Sequence, residues 1–241
     1  MHLEKVIICP EKFPVKDQYP FNLDILQNTE SVSFNKPVTF FTGENGAGKS
    51  TLLTAMVKKC GIHIWSGLAR QRAVHNPYEQ ALSFALELKW KNGSVPGSFF
   101  ASRIFRHFAK LLDEWEAASP GNFKYFGGKS LMTQSHGQSL MSYFSSRYKL
   151  RGIHFLDEPE TALSPKSQIE LLKLLYNLSR KGHAQFIIAT HSPILLSCPD
   201  ADIYNFDHAP ISRIPYKKTD TYKVYKDFMG NMDYYLGNLK N

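Results

Sequence analysis

A chain of 241 residues, 43% of them hydrophobic, is long enough to bury one α/β core with a small subdomain and too short for two independent large domains. No stretch approaches the run of about eighteen apolar residues that a membrane span needs, and the first residues lack a signal-peptide core, so a soluble cytoplasmic protein is expected. The formal charge of +8 suits a polyanionic partner such as nucleic acid, and equally suits a basic surface with dispersed lysines. The three cysteines, Cys9, Cys60 and Cys198, lack the spacing of a zinc or redox motif.

In chain order, Val38 to Thr42 is a short β-branched and aromatic run between Pro37 and Gly43, which predicts a buried strand. After a glycine-rich loop, Lys49 to Lys59 has the composition of a helix, with Gly61 placed to end it. Leu82 to Trp90 alternates as a strand, and the following Asn-Gly-Ser-Val-Pro-Gly run breaks it. From Ser98 to Glu116 the apolar residues Phe100, Ile104, Phe105, Phe108, Leu111 and Leu112 recur at helical spacing. This helix is expected to open a small helical subdomain over about 93–150, with a second helix from Gln138 to Tyr148. Gly152 to Leu156 is a further strand. Ser164 and Pro165 supply an N-cap and a first-turn proline for a helix reaching Arg180, and His183 to Thr190 is the last apolar strand. The alternation predicts one α/β domain over 1–241, a mostly parallel sheet flanked by helices, with its chemistry at the carboxyl ends of the strands.

The sharpest motif is Gly43-Glu44-Asn45-Gly46-Ala47-Gly48-Lys49-Ser50-Thr51, which fits the phosphate-binding pattern G-x-x-x-x-G-K-[ST] between a predicted strand and a predicted helix. Its glycines let backbone N–H groups turn inward around phosphate oxygens, and Lys49 can reach the β- and γ-phosphates. Ser50 can offer its hydroxyl to Mg2+, and the helix presents its positive end to the anion. The second motif is the apolar strand ending in Asp157 and Glu158. In a P-loop enzyme Asp157 would hold Mg2+, usually through water, and Glu158 would orient or deprotonate the attacking water. His154 within that strand reads as structural.

The third motif, Gln134-Ser135-His136-Gly137-Gln138, resembles the Leu-Ser-Gly-Gly-Gln signature of ATP-binding cassette (ABC) proteins; Ser135, Gly137 and Gln138 match it and Gln134 and His136 depart from it. Pro159 to Leu163 resembles the D-loop of that family, and His191, in Thr190-His191-Ser192-Pro193, resembles its switch histidine. Together these motifs resemble the small stand-alone ABC-type P-loop ATPases grouped with AAA proteins, relatives of the heads of structural-maintenance-of-chromosomes (SMC) and RecF-like proteins. The resemblance implies ATP and Mg2+ as ligands and a head-to-tail homodimer with ATP at the interface, in which Ser135, Gly137 and Gln138 of one copy close over the P-loop of the other. It also implies Glu158, His191 and Lys49 as catalytic groups.

One expected piece is missing. The Q-loop glutamine of the family has no counterpart in Gly97 to Arg103, and Ser102, Arg103 and the upstream Gln80 are all candidates to replace it. For the adenine ring, Tyr19 and Phe21 are candidates, and core packing is the alternative reading of both. Two functions compete: a soluble ATPase whose dimerisation acts on nucleic acid or a partner protein, and the ATP-binding subunit of a membrane transporter, which the altered signature and absent glutamine disfavour. Near the C-terminus, Tyr216, Lys217, Lys218, Tyr222, Lys223, Tyr225 and Lys226 interleave rings and charges. That pattern suits single-stranded nucleic acid. The alternative is that the tyrosines pack on the body.

Overall fold

The largely apolar runs Val38–Thr42, Gly152–Asp157 and Ala184–Ala189 form the centre of a six-stranded sheet. The computed structural model describes residues 1–65, 78 and 80–237. In chain order the strands are β1 (Leu3–Ile8), β2 (Ser31–Ser33), β3 (Val38–Thr42), β4 (Leu86–Trp90), β5 (Gly97–Ala101), β6 (Gly152–Asp157), β7 (Ala184–Ala189), β8 (Asp202–Asn205) and β9 (Ser212–Arg213). The helices are α1 (Asp24–Gln27), α2 (Lys49–Lys59), α3 (Ser102–Ala118), α4 (His136–Arg147), α5 (Pro165–Arg180), α6 (Pro193–Leu196), α7 (Asp220–Gly230) and α8 (Met232–Leu236).

The main sheet has the order β5-β6-β7-β3-β8-β9, parallel throughout except for the edge pair β8 and β9. Strands β3, β6 and β7 are buried at every position, as a parallel sheet covered on both faces requires. Their side chains alternate between two cores. Phe41, Phe155, Ile187 and Ala189 face a cluster with Leu52, Leu53 and Met56 of α2 and with Val6 and Leu86 of a separate antiparallel sheet, β2-β1-β4. Phe40, Leu156, Phe186 and Ile188 face the other cluster, built with Phe105 and Leu112 of α3, Leu140 and Phe144 of α4 and Leu171 and Leu175 of α5.

The predicted limits hold for β3, α2 and α5. Ser164 caps α5 by accepting from the Ser167 N–H, with Pro165 in its first turn. Three expectations need correction. The helix predicted from Ser98 begins at Ser102, because Gly97 to Ala101 pairs in parallel with β6, Phe99 opposite Phe155 and Ala101 opposite Asp157. The helical segment accordingly starts at Ser102 and not near residue 93. The strand predicted from Leu82 begins at Leu86, after a 3-10 turn over Ala81–Ala85, and belongs to the antiparallel sheet beside β1.

Candidate functional site

Register across the parallel strands lines up Ala101, Asp157, Ala189, Phe41 and Tyr204 in one row near their carboxyl ends. Within a few residues beyond that row each strand delivers a polar group: Arg103 after β5, Asp157 and Glu158 at the end of β6, His191 after β7, the P-loop after β3 and Asp207 after β8. Five adjacent strand ends thus converge, at the place where α/β sheets bind ligands.

The loop between β3 and α2 needs its glycines. Gly43 has φ +144°, and a Cβ there would lie 2.9 Å from Asp207 Oδ1; Gly48, with φ +96°, has Leu23 and Ile25 at 3.3 and 3.2 Å. Asp207 braces the loop from behind by accepting the Glu44 N–H at 2.6 Å. Glu44, Asn45 and Gly46 form the exposed crest, and Ala47 and Thr51 are half-buried. Lys49 is buried, its Nζ donating to the Gly43 carbonyl at 2.7 Å and the Glu44 carbonyl at 2.8 Å. Burial pushes its pKa down, opposed by the charges of Glu158, Asp207, Asp157 and Glu44.

Opposite the loop, Asp157 is 2% exposed, and both of its oxygens are engaged: the Ser50 hydroxyl donates to Oδ1 at 2.6 Å and Arg103 Nη1 donates to Oδ2 at 3.0 Å. Glu158 holds φ +48°, ψ +55°, a left-handed backbone that a residue with a Cβ rarely adopts. Its neighbours enforce it: the Glu158 N–H donates to the Ala189 carbonyl at 2.9 Å, and its own carbonyl accepts from Ser102 Oγ at 2.7 Å and Thr161 Oγ1 at 2.6 Å. The backbone is thereby fixed while the carboxylate stays partly open, 4.0 Å from His191 Nε2. That nitrogen is buried and, among the described residues, has no hydrogen-bond partner. Burial, followed by the Lys49 charge, pushes the His191 pKa down, so the ring is neutral at pH 7.

Sequence reasoning overlooked two residues here. Glu160, within the D-loop-like turn, accepts the His191 N–H at 2.6 Å, and burial pushes its carboxyl pKa up. Gln168 of α5 donates to the Leu163 carbonyl at 3.0 Å and accepts from Ser192 Oγ at 2.6 Å. These contacts clamp the segment after Glu158 to the segment around His191. For Asp207 a signal existed, a carboxylate just past a strand; its neighbour could not be known without the strand order.

The signature-like segment stands apart. Ser135 caps α4 in a capping box, its Oγ accepting from the Gln138 N–H at 3.4 Å while its own N–H donates to Gln138 Oε1 at 3.3 Å. Ser135 and Gln138 are exposed, and the nearest foreign atom to a Cβ built on Gly137 is Ser167 Oγ at 4.0 Å. Among the described residues, no hydrogen bond joins Ser135, Gly137 or Gln138 to the P-loop of the same chain.

Of the adenine candidates, Phe21 is fully buried against Phe13, whereas Tyr19 is 48% exposed and hydrogen-bonded to Thr51 Oγ1 at 2.8 Å. Tyr19 lines a cleft of about 430 Å³ with Ser50, Thr51, Lys58, Gln80 and Arg103. Of the three candidates for the missing glutamine, Gln80 and Arg103 line this cleft, Ser102 lines a neighbouring one and bonds the Glu158 carbonyl, and Arg103 is the one that bonds Asp157. Near the C-terminus, Tyr216 and Tyr222 pack on each other at 4.8 Å, and the Tyr216 hydroxyl bonds the Pro193 carbonyl at 3.0 Å. Lys217, Lys218, Lys223 and Lys226 are exposed, as is Tyr225, while Tyr216 and Tyr222 are half-buried.

Residues 21–57 match a family model described as "AAA domain", and residues 138–197 match one described as "AAA domain, putative AbiEii toxin, Type IV TA system". The hemin import ATP-binding protein HmuV of Pseudomonas aeruginosa is 28% identical over 61% of this chain and 63% of its own length. The siderophore transport ATP-binding protein YusV of Bacillus subtilis, whose assignment is given as probable, is 24% identical over 67% and 63%. The chain thus spans 63% of the length of these curated relatives. Among solved structures, the SMC head domain from Thermotoga maritima superposes with a TM-score of 0.51 at 15% identity over 89% of this chain and 99% of that one. An SMC head bound to the C-terminal winged-helix domain of ScpA gives 0.55 at 13% identity over 90% and 99%. The cbiO1 component of the cbiONQ ABC transporter from Clostridium perfringens gives 0.52 at 16% identity over 100% and 99%, and at such identities these likenesses speak for the fold. Sheet order, P-loop, acidic strand end, the two AAA-domain matches and the ATP-binding relatives together support a P-loop nucleotide-binding fold similar to that of ABC-type ATP-binding proteins, with SMC heads among its fold neighbours.

Proposed function

We propose that this chain, acting as a single domain over 1–241, binds ATP with Mg2+ in the cytoplasm and hydrolyses it in a head-to-tail homodimer, and that the cycle drives a nucleic-acid or protein partner. The observation that carries this reading is the convergence of a P-loop lysine, a serine bonded to a buried aspartate, and a glutamate in a strained backbone at neighbouring strand ends. Ser50 Oγ and Asp157 Oδ1, 2.6 Å apart, form a hard oxygen donor pair that fits Mg2+, and the inward-turned glycine loop fits a polyphosphate. When bound, the ion would be held through Ser50 and Asp157 and would supply charge neutralisation at the phosphates.

The chain's own groups do the rest in this mechanism. Lys49 is aimed at the phosphates, already stripped of most of its water. The Glu158 carboxylate orients a water for in-line attack and takes up its proton. Neutral His191, its Nε2 unpartnered, donates to the oxygen on which charge develops. Ser135 of the second copy closes the site; its exposure and its lack of bonding to its own P-loop support that role.

Replacing Glu158 with Gln is expected to lower hydrolysis by about a hundredfold or more while ATP binding persists, and to hold an ATP-dependent dimer visible by mass. Hydrolysis at the wild-type rate would remove Glu158 from this role. The likeness to transporter ATP-binding proteins supports a second reading, the ATPase subunit of a membrane transporter. Stimulation of hydrolysis by DNA or RNA favours the first reading; co-purification with a membrane protein favours the second.

A further inference from the structure

Arg103 occupies an unusual position for a cation. It is the second residue of α3, and its guanidinium bonds the buried Asp157 at 3.0 Å while its side chain remains 63% exposed. Arg103 also lines two clefts at once: the one of about 430 Å³ beside Tyr19, Ser50 and Thr51, and one of about 360 Å³ with Ser102, Asp157, Glu158 and Thr161. It is thus a partition between them, held on one side by a single ion pair.

Chemistry restricts what an arginine can do there. A glutamine amide can offer its carbonyl oxygen to a divalent cation. A guanidinium has five donors, no acceptor and a permanent charge, so it cannot ligate a metal. It can donate only to an acceptor, and the acceptor it has is the carboxylate that the nucleotide reading gives to Mg2+. With Ser50 on Oδ1 and Arg103 on Oδ2, each oxygen of Asp157 already accepts one hydrogen bond, and one of the two donors carries a full positive charge.

We propose that Arg103 is a resident cation on Asp157 that competes with Mg2+ for this carboxylate, making the site less dependent on the metal than a glutamine in its place would. The inference rests on the nucleotide reading above. Metal-free ATP meets an Asp157 whose charge Arg103 already offsets, and uptake of Mg2+ sets two cations on one carboxylate unless the guanidinium moves away. Its exposure leaves it free to do so, because no burial holds the head group in place.

The linkage is measured as the ratio of two dissociation constants of a fluorescent ATP analogue, one with EDTA and one with saturating Mg2+. R103Q and R103A are expected to raise this ratio by about tenfold, the scale of one partly exposed charge-assisted hydrogen bond. R103K, which keeps the charge, stays close to wild type. Mn2+ uptake by the nucleotide complex, followed through the free-ion EPR signal, is expected to shift to lower Mn2+ in R103Q and R103A. A ratio unchanged or lowered in both variants, with thermal unfolding near wild type, overturns the proposal. In a D157N background the Arg103 effect is expected to vanish; an effect that persists there puts Arg103 on the phosphates alone and also overturns it. A wild-type protein that binds no analogue under either condition defeats the nucleotide reading itself, and this proposal with it.

Discussion

The carboxyl edge of the main sheet and the N-terminus of α4 both present polar groups suited to phosphate, but the two are built differently. At the sheet edge nearly every polar side chain is tied to a residue far away in sequence: Ser50 to Asp157, Arg103 to Asp157, Ser102 to Glu158, Asp207 to Glu44 and Glu160 to His191. Around α4 the cap closes on itself within three residues, Ser135 with Gln138, and faces outward. The first arrangement is rigid because the whole fold determines it. The second is rigid because it is local, and a local cap stays the same whatever docks against it. One chain therefore carries a preorganised pocket and, apart from it, a self-contained helix cap; in the proposed homodimer the cap of one copy is the lid of the other's pocket.

The strongest way to break this comparison is to disable each half in a different copy. Lys49→Ala removes the pocket's cation. Ser135→Asp keeps a good N-cap residue on α4 but sets a negative charge where the partner's phosphate would lie. Each variant alone is expected to lose hydrolysis by about a hundredfold or more. Mixed in equal amounts, half the dimers are heterodimers with one competent site in two, so about a quarter of wild-type activity returns. A mixture as inactive as its components, under conditions where heterodimers demonstrably form, would place both halves of the site in one chain.

A smaller effect sharpens what holds the pocket together. Glu160 accepts the His191 N–H, and Gln168 links Leu163 to Ser192, so the segments carrying Glu158 and His191 are clamped to each other. Glu160→Ala is expected to lower kcat about tenfold with KM within about twofold, since His191 loses its anchor while nucleotide binding does not. Glu160→Gln should restore most of the rate, because an amide oxygen accepts the same hydrogen bond and burial already disfavours the charged carboxylate. Equal losses in both variants would mean that the carboxylate charge, and not the clamp, is what matters.

How much of this was legible follows the same division. The P-loop, the acidic end of β6 and the α5 cap are contiguous patterns, and local rules read them from residue types alone. The groups that bind across strands were not readable in that way. Arg103 and Asp157 are brought together only because β5 lies beside β6, and the run Gly97 to Ala101 that makes them neighbours reads equally well as the start of the helix behind it. The same holds for Phe21 and Tyr19: two aromatic residues in one short segment, one fully buried and one on the rim of a cleft. Strand β1 pairs with β2 and β4, whose positions in the chain say nothing about a separate antiparallel sheet.

The smallest effect comes from the far end of the strand that carries Asp157, and it separates stability from chemistry. His154 is buried in β6 between Tyr148 and Phe186, with Ser98 Oγ 2.8 Å from Nδ1 and the Leu150 carbonyl 3.3 Å from Nε2. Burial pushes its pKa down to about 4, and the charges of Arg147, His183 and His2 push the same way. Between pH 6.5 and about 4 the unfolded chain therefore binds a proton that the folded chain refuses, so stability is full above that window and falls as the pH drops through it. At pH 5 the loss is on the order of 2 kcal/mol. Denaturant unfolding at pH 7 and pH 5 is expected to show a shallower pH dependence in His154→Gln than in wild type, whatever the absolute stability of the variant. An identical pH dependence would exonerate His154, and any acid loss of hydrolysis would then have to be sought at the carboxyl edge itself, where His191 too has its pKa held down by burial.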